Sequence, residues 1–70
     1  MIVYARREKN GYYKVNVWSE NGFPIATYSE VVVFVNEKKI DSDELLVEAA
    51  SVRYFKEKRE LYVRSKLTEP

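Results

Sequence analysis

The chain has 70 residues, 46% of them apolar and 33% charged, and a formal net charge of +1. So short a chain buries only about 60% of the surface its unfolded form exposes, which predicts one small domain over residues 1–70 with a single compact core. This excludes a deep substrate cavity, and the apolar content excludes disorder.

The first predicted element is a β-hairpin. Val3 to Arg7 and Tyr12 to Ser19 are rich in β-branched and aromatic residues, and Lys9-Asn10-Gly11 between them suits a turn because Asn and Gly tolerate positive φ. Register decides which side chains share a face. A loop of Lys9-Asn10-Gly11, with Gly11 left-handed in a bulge, sets Val3 and Ala5 beside Tyr13, Val15 and Val17 on an apolar face. The opposite face then carries Tyr4, Arg6, Tyr12, Lys14, Asn16 and Trp18, rings interleaved with cations. A second turn at Asn21-Gly22 leads into a long strand from about Phe23 to Val35, with Pro24 near its start where a missing donor does least harm. Residues 2–35 therefore read as a three-stranded antiparallel meander. The unbroken apolar run Val31 to Val35 predicts a strand covered on both sides, by a helix or at a dimer seam.

After the polar turn Asn36 to Lys39 comes Asp41-Ser42-Asp43-Glu44. Closely spaced carboxylates suit hard cations, but the spacing fits a helix start better than a metal loop: Asp41 caps, Glu44 reaches back, and Asp43 favours the positive end of the dipole. A short helix over residues 42–50 would present Leu45, Leu46 and Ala49 to the core. Residues 52–67 scatter their apolar side chains around a helical wheel, whereas a hairpin with its tip at Glu57 to Glu60 orders them. Val52 and Tyr54 then share a face with Leu61 and Val63, and Arg53, Phe55, Tyr62 and Arg64 share the other, with Arg53 opposite Arg64. Such a like-charge pair costs stability unless an anion or a carboxylate such as Glu30, Glu48 or Glu69 lies near. The resulting fold class is α+β: a meander, one short helix and a C-terminal hairpin, closing a curved sheet or partial barrel.

Function is constrained first by absences. The chain contains no histidine and no cysteine, which removes the commonest general base, the strongest nucleophile and thiolate metal sites. Both glycines sit in turns, so no phosphate-binding loop or dinucleotide fingerprint is present. A non-enzymatic protein is expected, without cofactor, metal or small-molecule substrate. The absence of cysteine, of a signal-peptide pattern and of a membrane-spanning apolar run predicts a soluble, cytoplasmic protein. The lack of His and Gln, with abundant Lys, Glu, Val and Tyr, resembles hyperthermophile composition.

Charge is unevenly placed. Residues 1–19 carry four basic and one acidic side chain, residues 20–48 two and seven, and residues 49–70 six and three. Clustered rings and cations at both ends predict a nucleic-acid-binding accessory module, RNA or single-stranded DNA, contacting its ligand through Tyr4, Arg6, Tyr12, Lys14, Trp18, Arg53, Phe55, Tyr62 and Arg64, with Lys66 as a further phosphate contact. The isoelectric point near 7.9 weighs against it. The alternative is a protein-interaction subunit or homodimer whose aromatic face and Val31 to Val35 strand form the interface.

Overall fold

The computed structural model describes residues 1–66. Within them the chain is all β: seven strands form one mixed sheet, and no helix is present among the described residues. The strands are β1 (Ile2–Arg7), β2 (Tyr13–Trp18), β3 (Pro24–Ser29), β4 (Val32–Val35), β5 (Lys38–Lys39), β6 (Glu44–Phe55) and β7 (Glu60–Ser65), in the spatial order β3-β2-β1-β6-β7-β4-β5.

The first hairpin follows its turn chemistry. Glu8 N–H donates to the Tyr12 carbonyl at 2.7 Å and Gly11 N–H to the Glu8 carbonyl at 3.0 Å, with Gly11 at φ +86°. Val3 therefore lies opposite Val17 and Ala5 opposite Val15, and all four are buried. The second turn also holds, with Gly22 at φ +81°, and β3 pairs antiparallel to β2.

The expected strand from Phe23 to Val35 is broken. Glu30 sits at φ 56°, and the chain leaves β2 there to cross to the other half of the sheet. β4 then pairs in parallel with β7 and antiparallel with β5, so it has a neighbour on each edge. Val31 and Val33 are 3% and 0% exposed. Val31 and Val33 are therefore taken up by the core and both edges of the strand by sheet pairing, and no helix among the described residues covers the run. Its outward Phe34 is covered by the ring of Tyr62, stacked at a centroid distance of 4.7 Å.

The predicted helix over residues 42–50 is part of β6, so the α+β assignment gives way to an all-β one. Helix propensity in Glu44 to Ala50 is a weak local preference, and tertiary pairing overrides it. As a strand, these residues satisfy the second edge of β1, with Val3 opposite Val47 and Ala5 opposite Leu45. Leu45 and Val47 turn inward, while Leu46 stays 71% exposed. Asp41 and Asp43 cap nothing. They form ion pairs with Arg7, Asp43 at 3.7 Å, while Tyr13 Oη donates to the Ser42 carbonyl at 2.8 Å. The half-buried Arg7 guanidinium also donates to Tyr13 Oη at 2.6 Å and lies over that ring, so one side chain ties the first hairpin to the segment entering β6.

β6 is long enough to serve both halves of the sheet. Its first residues pair with β1 and its last with β7, with a register shift between Ala49 and Ser51. The two halves turn their inner surfaces to a common core in which Val3, Ala5, Val15 and Val17 meet Val33, Ala49, Leu61 and Val63. Tyr28 of β3 reaches Tyr54 of β6 across this core at 4.5 Å between ring centroids. No described helix is long and apolar enough to cross a membrane.

The strand assignment of β6 has a direct consequence for stability. Leu61→Ala should cost about 2–5 kcal/mol, as expected for a fully buried leucine, whereas Leu46→Ala should change stability by less than about 0.5 kcal/mol. Urea unfolding of both variants checks this. A large loss at Leu46 would return that side chain to the core, as a helix requires.

Candidate nucleic-acid interface

The nine expected contact residues all lie on the outer surface, but on two separate faces. Both half-sheets turn inward to one core, and each carries its own outer face.

The first face belongs to β2, β1 and the start of β6. Cross-strand pairing sets Lys14 beside Arg6 and Arg6 beside Glu44, then Asn16 beside Tyr4 and Tyr4 beside Leu46, then Trp18 beside Ile2 and Ile2 beside Glu48. Tyr12 lies at the hairpin end, 49% exposed. The centre of this face is apolar; Arg6 has Glu44 as a cross-strand neighbour, and Lys14 lies between Arg6 and Ser29. Tyr4 Oη donates to Glu44 at 3.1 Å, and its phenol is pushed above the ordinary range by partial burial and by that carboxylate.

The second face belongs to the end of β6, to β7, β4 and β5. Faces divide as the sequence predicts: Val52, Tyr54, Leu61 and Val63 turn inward, and Arg53, Phe55, Tyr62 and Arg64 turn outward. The partners differ. The hairpin tip is Lys56 to Arg59, not Glu57 to Glu60, with Arg59 at φ 53°. Tyr62 is therefore opposite Arg53, and Ser51 is opposite Arg64. A shift of two residues in pairing preserves each side chain's face while changing its neighbour. It also removes the direct Arg53–Arg64 clash.

One row across this face runs Arg53, Tyr62, Phe34, Lys39 through the pairings of β6, β7, β4 and β5. Tyr62 stacks on Phe34 with an interplanar angle of 7°, and Phe55 meets it edge-on at 5.2 Å. The Arg53 guanidinium carbon lies 5.7 Å from the Phe55 ring centroid. Beside this row is an open cleft of about 490 Å³ lined by Asn36, Glu37, Ser51, Arg53, Tyr62 and Arg64. Asn36 is fixed there by two backbone bonds, its N–H donating to the Val63 carbonyl at 2.9 Å and its Oδ1 accepting from Ser65 N–H at 3.0 Å.

Electrostatics separate Arg53 and Arg64, like Arg6 and Lys14 on the first face, from the cations that acids engage. Arg59 pairs with Glu30 at 3.0 Å, and Arg7 with Asp41 and Asp43. Glu48 takes Lys66 at 3.1 Å and the terminal ammonium at 3.0 Å, which hold its carboxyl below the usual range. Lys66 is thus committed to an ion pair rather than held out for phosphate. Neither Glu30 nor Glu48 neutralises the cleft, and Glu69 lies outside the described residues. Neither Arg53 nor Arg64 has a carboxylate within ion-pair distance among the described residues. Glu60 is occupied by Tyr62 Oη at 2.5 Å, which raises the phenol, with partial burial adding to the effect.

Phe34, Lys39, Asn36 and Ser51 belong to this site and are not among the residues expected from sequence. Phe34 and Lys39 join it only through the parallel pairing of β4 with β7, which has no local signature; Ser51 joins through the hairpin register. Comparison with protein-family models, with curated proteins and with solved structures finds no match.

The Tyr62–Glu60 bond makes a pH prediction. A phenol raised above its ordinary value of about 10 contributes stability that is complete below that value and is lost as pH rises through the folded one. Ultraviolet titration should show a late-ionising tyrosine that moves to lower pH in Glu60→Gln. An unchanged titration curve would mean that the carboxylate does not hold the hydroxyl.

Proposed function

We propose that the protein is a small, non-enzymatic module that binds single-stranded nucleic acid, RNA or DNA, on the outer face of its C-terminal half-sheet. The observation that carries this reading is the pair Arg53 and Arg64, exposed at one cleft with no carboxylate within ion-pair distance among the described residues, although Glu37 shares the lining and Glu60 is held by Tyr62. An arginine fork matches a phosphate bidentately, and Arg53 at the end of the aromatic row with Arg64 in the adjacent row suits a backbone that passes over the sheet. Phe55, 39% exposed, offers a ring surface for a base, and Lys39 extends the positive row. Single strands are favoured because their bases are free to leave the stack and lie on side-chain rings. A cysteine-free chain suits the reducing cytoplasm.

A second reading concerns the other face. Leu46, 71% exposed, lies beside Tyr4, which neighbours Ile2, and Trp18 is opposite Ile2. An apolar centre with Arg6, Lys14, Glu44 and Glu48 around it has the composition of a protein-contact surface. This reading takes over the aromatic face of the interaction hypothesis but not the Val31 to Val35 strand, whose Val31 and Val33 are buried and whose two edges are paired.

Fluorescence anisotropy with labelled single-stranded RNA, single-stranded DNA and duplex DNA across a salt series tests the primary reading. Single strands should bind with affinity that falls steeply with salt. Arg53→Ala and Arg64→Ala should each lower affinity and reduce the salt slope by about one, and Phe55→Ala should cost about 1–3 kcal/mol. Trp18→Ala should bind as the parent does. Absence of binding to all three ligands at low salt would end the nucleic-acid reading, and a loss in Trp18→Ala larger than in Arg64→Ala would move the site to the other face.

A further inference from the structure

The two ends of the sheet carry very different sequences. At one end, β5 is two residues long and both are lysines, a composition that discourages pairing with another chain. At the other end, β3 runs over six residues, Pro24–Ser29, without a single charge. Its only partner among the described strands is β2. Glu30 N–H donates to the Tyr13 carbonyl at 3.1 Å, so by the alternation of an antiparallel ladder Tyr28 and Ala26 direct their backbone groups toward β2. Thr27 and Ser29 direct theirs away from it, and both residues are exposed. Pro24 and the bulge at Ile25 blunt the beginning of the edge, which leaves the stretch from Ala26 to Ser29 open. Phe23 and Ile25, 72% and 60% exposed, add apolar surface at its end.

We propose that β3 is a self-association edge that pairs antiparallel with β3 of a second copy of this chain across a two-fold axis. The hydrogen-bonding pattern fixes the register. Pairing Thr27 with Ser29 of the copy, and Ser29 with its Thr27, employs the outward N–H and C=O groups of both residues in two doubly bonded pairs. The same register sets Tyr28 against Tyr28 of the copy, a close cross-strand aromatic pair on the inner side, where each ring already meets Tyr54. A second copy fits this edge better than a charged partner does. A two-fold axis brings identical residues together, and a strand free of charge permits this without like-charge repulsion. The nearest charge, Glu30, is neutralised by Arg59 at 3.0 Å. The joined sheets would continue from β2 through both copies of β3, a form of strand addition that draws its binding energy from main-chain bonds.

Light scattering coupled to size exclusion, over chain concentrations from about 10 μM to about 1 mM, tests the proposal. The mass should rise from that of the 8.3 kDa chain toward twice that value. Thr27→Lys and Ser29→Lys place on this edge the residue that protects β5, and both should remain at the single-chain mass with the parent's circular dichroism spectrum and melting temperature within a few degrees. Because the outward Thr27 N–H makes no bond to β2, Thr27→Pro should also remain folded and single. Amide hydrogen exchange supplies a second readout: Thr27 and Ser29 should gain protection as concentration rises, while Tyr28 remains protected throughout. A single-chain mass at every concentration overturns the proposal, as does a dimer that survives all three substitutions.

Discussion

Through Ala49 the odd-numbered residues of β6 face the core, and beyond Ser51 the even-numbered ones do; the bulge at exposed Ala50 exchanges them. Side chains on a strand alternate with period two, so one extra residue moves every later side chain to the other face. Without it, the inward parity of Leu45, Val47 and Ala49 would continue to Arg53 and Phe55, and Val52 and Tyr54 would face solvent. An unpaired guanidinium in the core is prohibitively costly. The bulge is therefore a requirement of packing both ends of one strand against one core. It lets a single strand belong to two half-sheets and keeps both clusters of rings and cations on the outer surface, one on each half-sheet.

That separation gives each cluster its own electrostatic setting. The N-terminal face shares β6 with Glu44 and Glu48, so Arg6 has an acid as cross-strand neighbour, and its centre is Tyr4, Ile2 and exposed Leu46. The C-terminal face is built where β7, β4 and β5 follow one another, with Glu37 in the lining of its cleft and its other acids engaged. Glu60 is held by Tyr62, and Glu30 by Arg59. The overall charge of +1 does not reveal this distribution: Asp41, Asp43, Glu30 and Glu48 are bound to Arg7, Arg59, Lys66 and the terminal ammonium, and none of them to Arg53 or Arg64.

What could be read from sequence is what local chemistry determines. Lys9-Asn10-Gly11 specifies its turn through the positive φ of Gly11, and the register of β1 on β2 follows, with Tyr4, Arg6, Lys14 and Trp18 turned outward. The period-two alternation from Val52 to Arg64 likewise divides inner from outer residues whichever tip is chosen. Three features depend on distant parts of the chain and left no local trace. Glu44 to Ala50 is composed of residues that suit a helix in isolation, and it becomes a strand because β1 has an unfilled edge. The turn away at Glu30 occurs without a glycine, at a positive φ held in place because Val31 and Val33 beyond it are buried. Parallel pairing of β4 with β7 then brings Phe34 onto Tyr62, a contact between segments with no sequence proximity. For these reasons the sequence places Arg53, Phe55, Tyr62 and Arg64 outward, as the structure does, but joins them to the face of the first hairpin and leaves out Phe34, Asn36 and Ser51.

The bulge in β6 keeps Arg53 and Phe55 on the outer face of the C-terminal half-sheet, where we propose that a nucleic-acid strand binds. The most direct test is amide and side-chain chemical-shift mapping of the isotopically labelled protein titrated with a short single-stranded oligonucleotide. Shifts should concentrate at Asn36, Lys39, Ser51, Arg53, Phe55, Tyr62 and Arg64, with Tyr4, Lys14, Trp18 and Leu46 unmoved. Shifts centred on Tyr4, Lys14 and Trp18, or a spectrum that does not change at saturating oligonucleotide, would contradict the account.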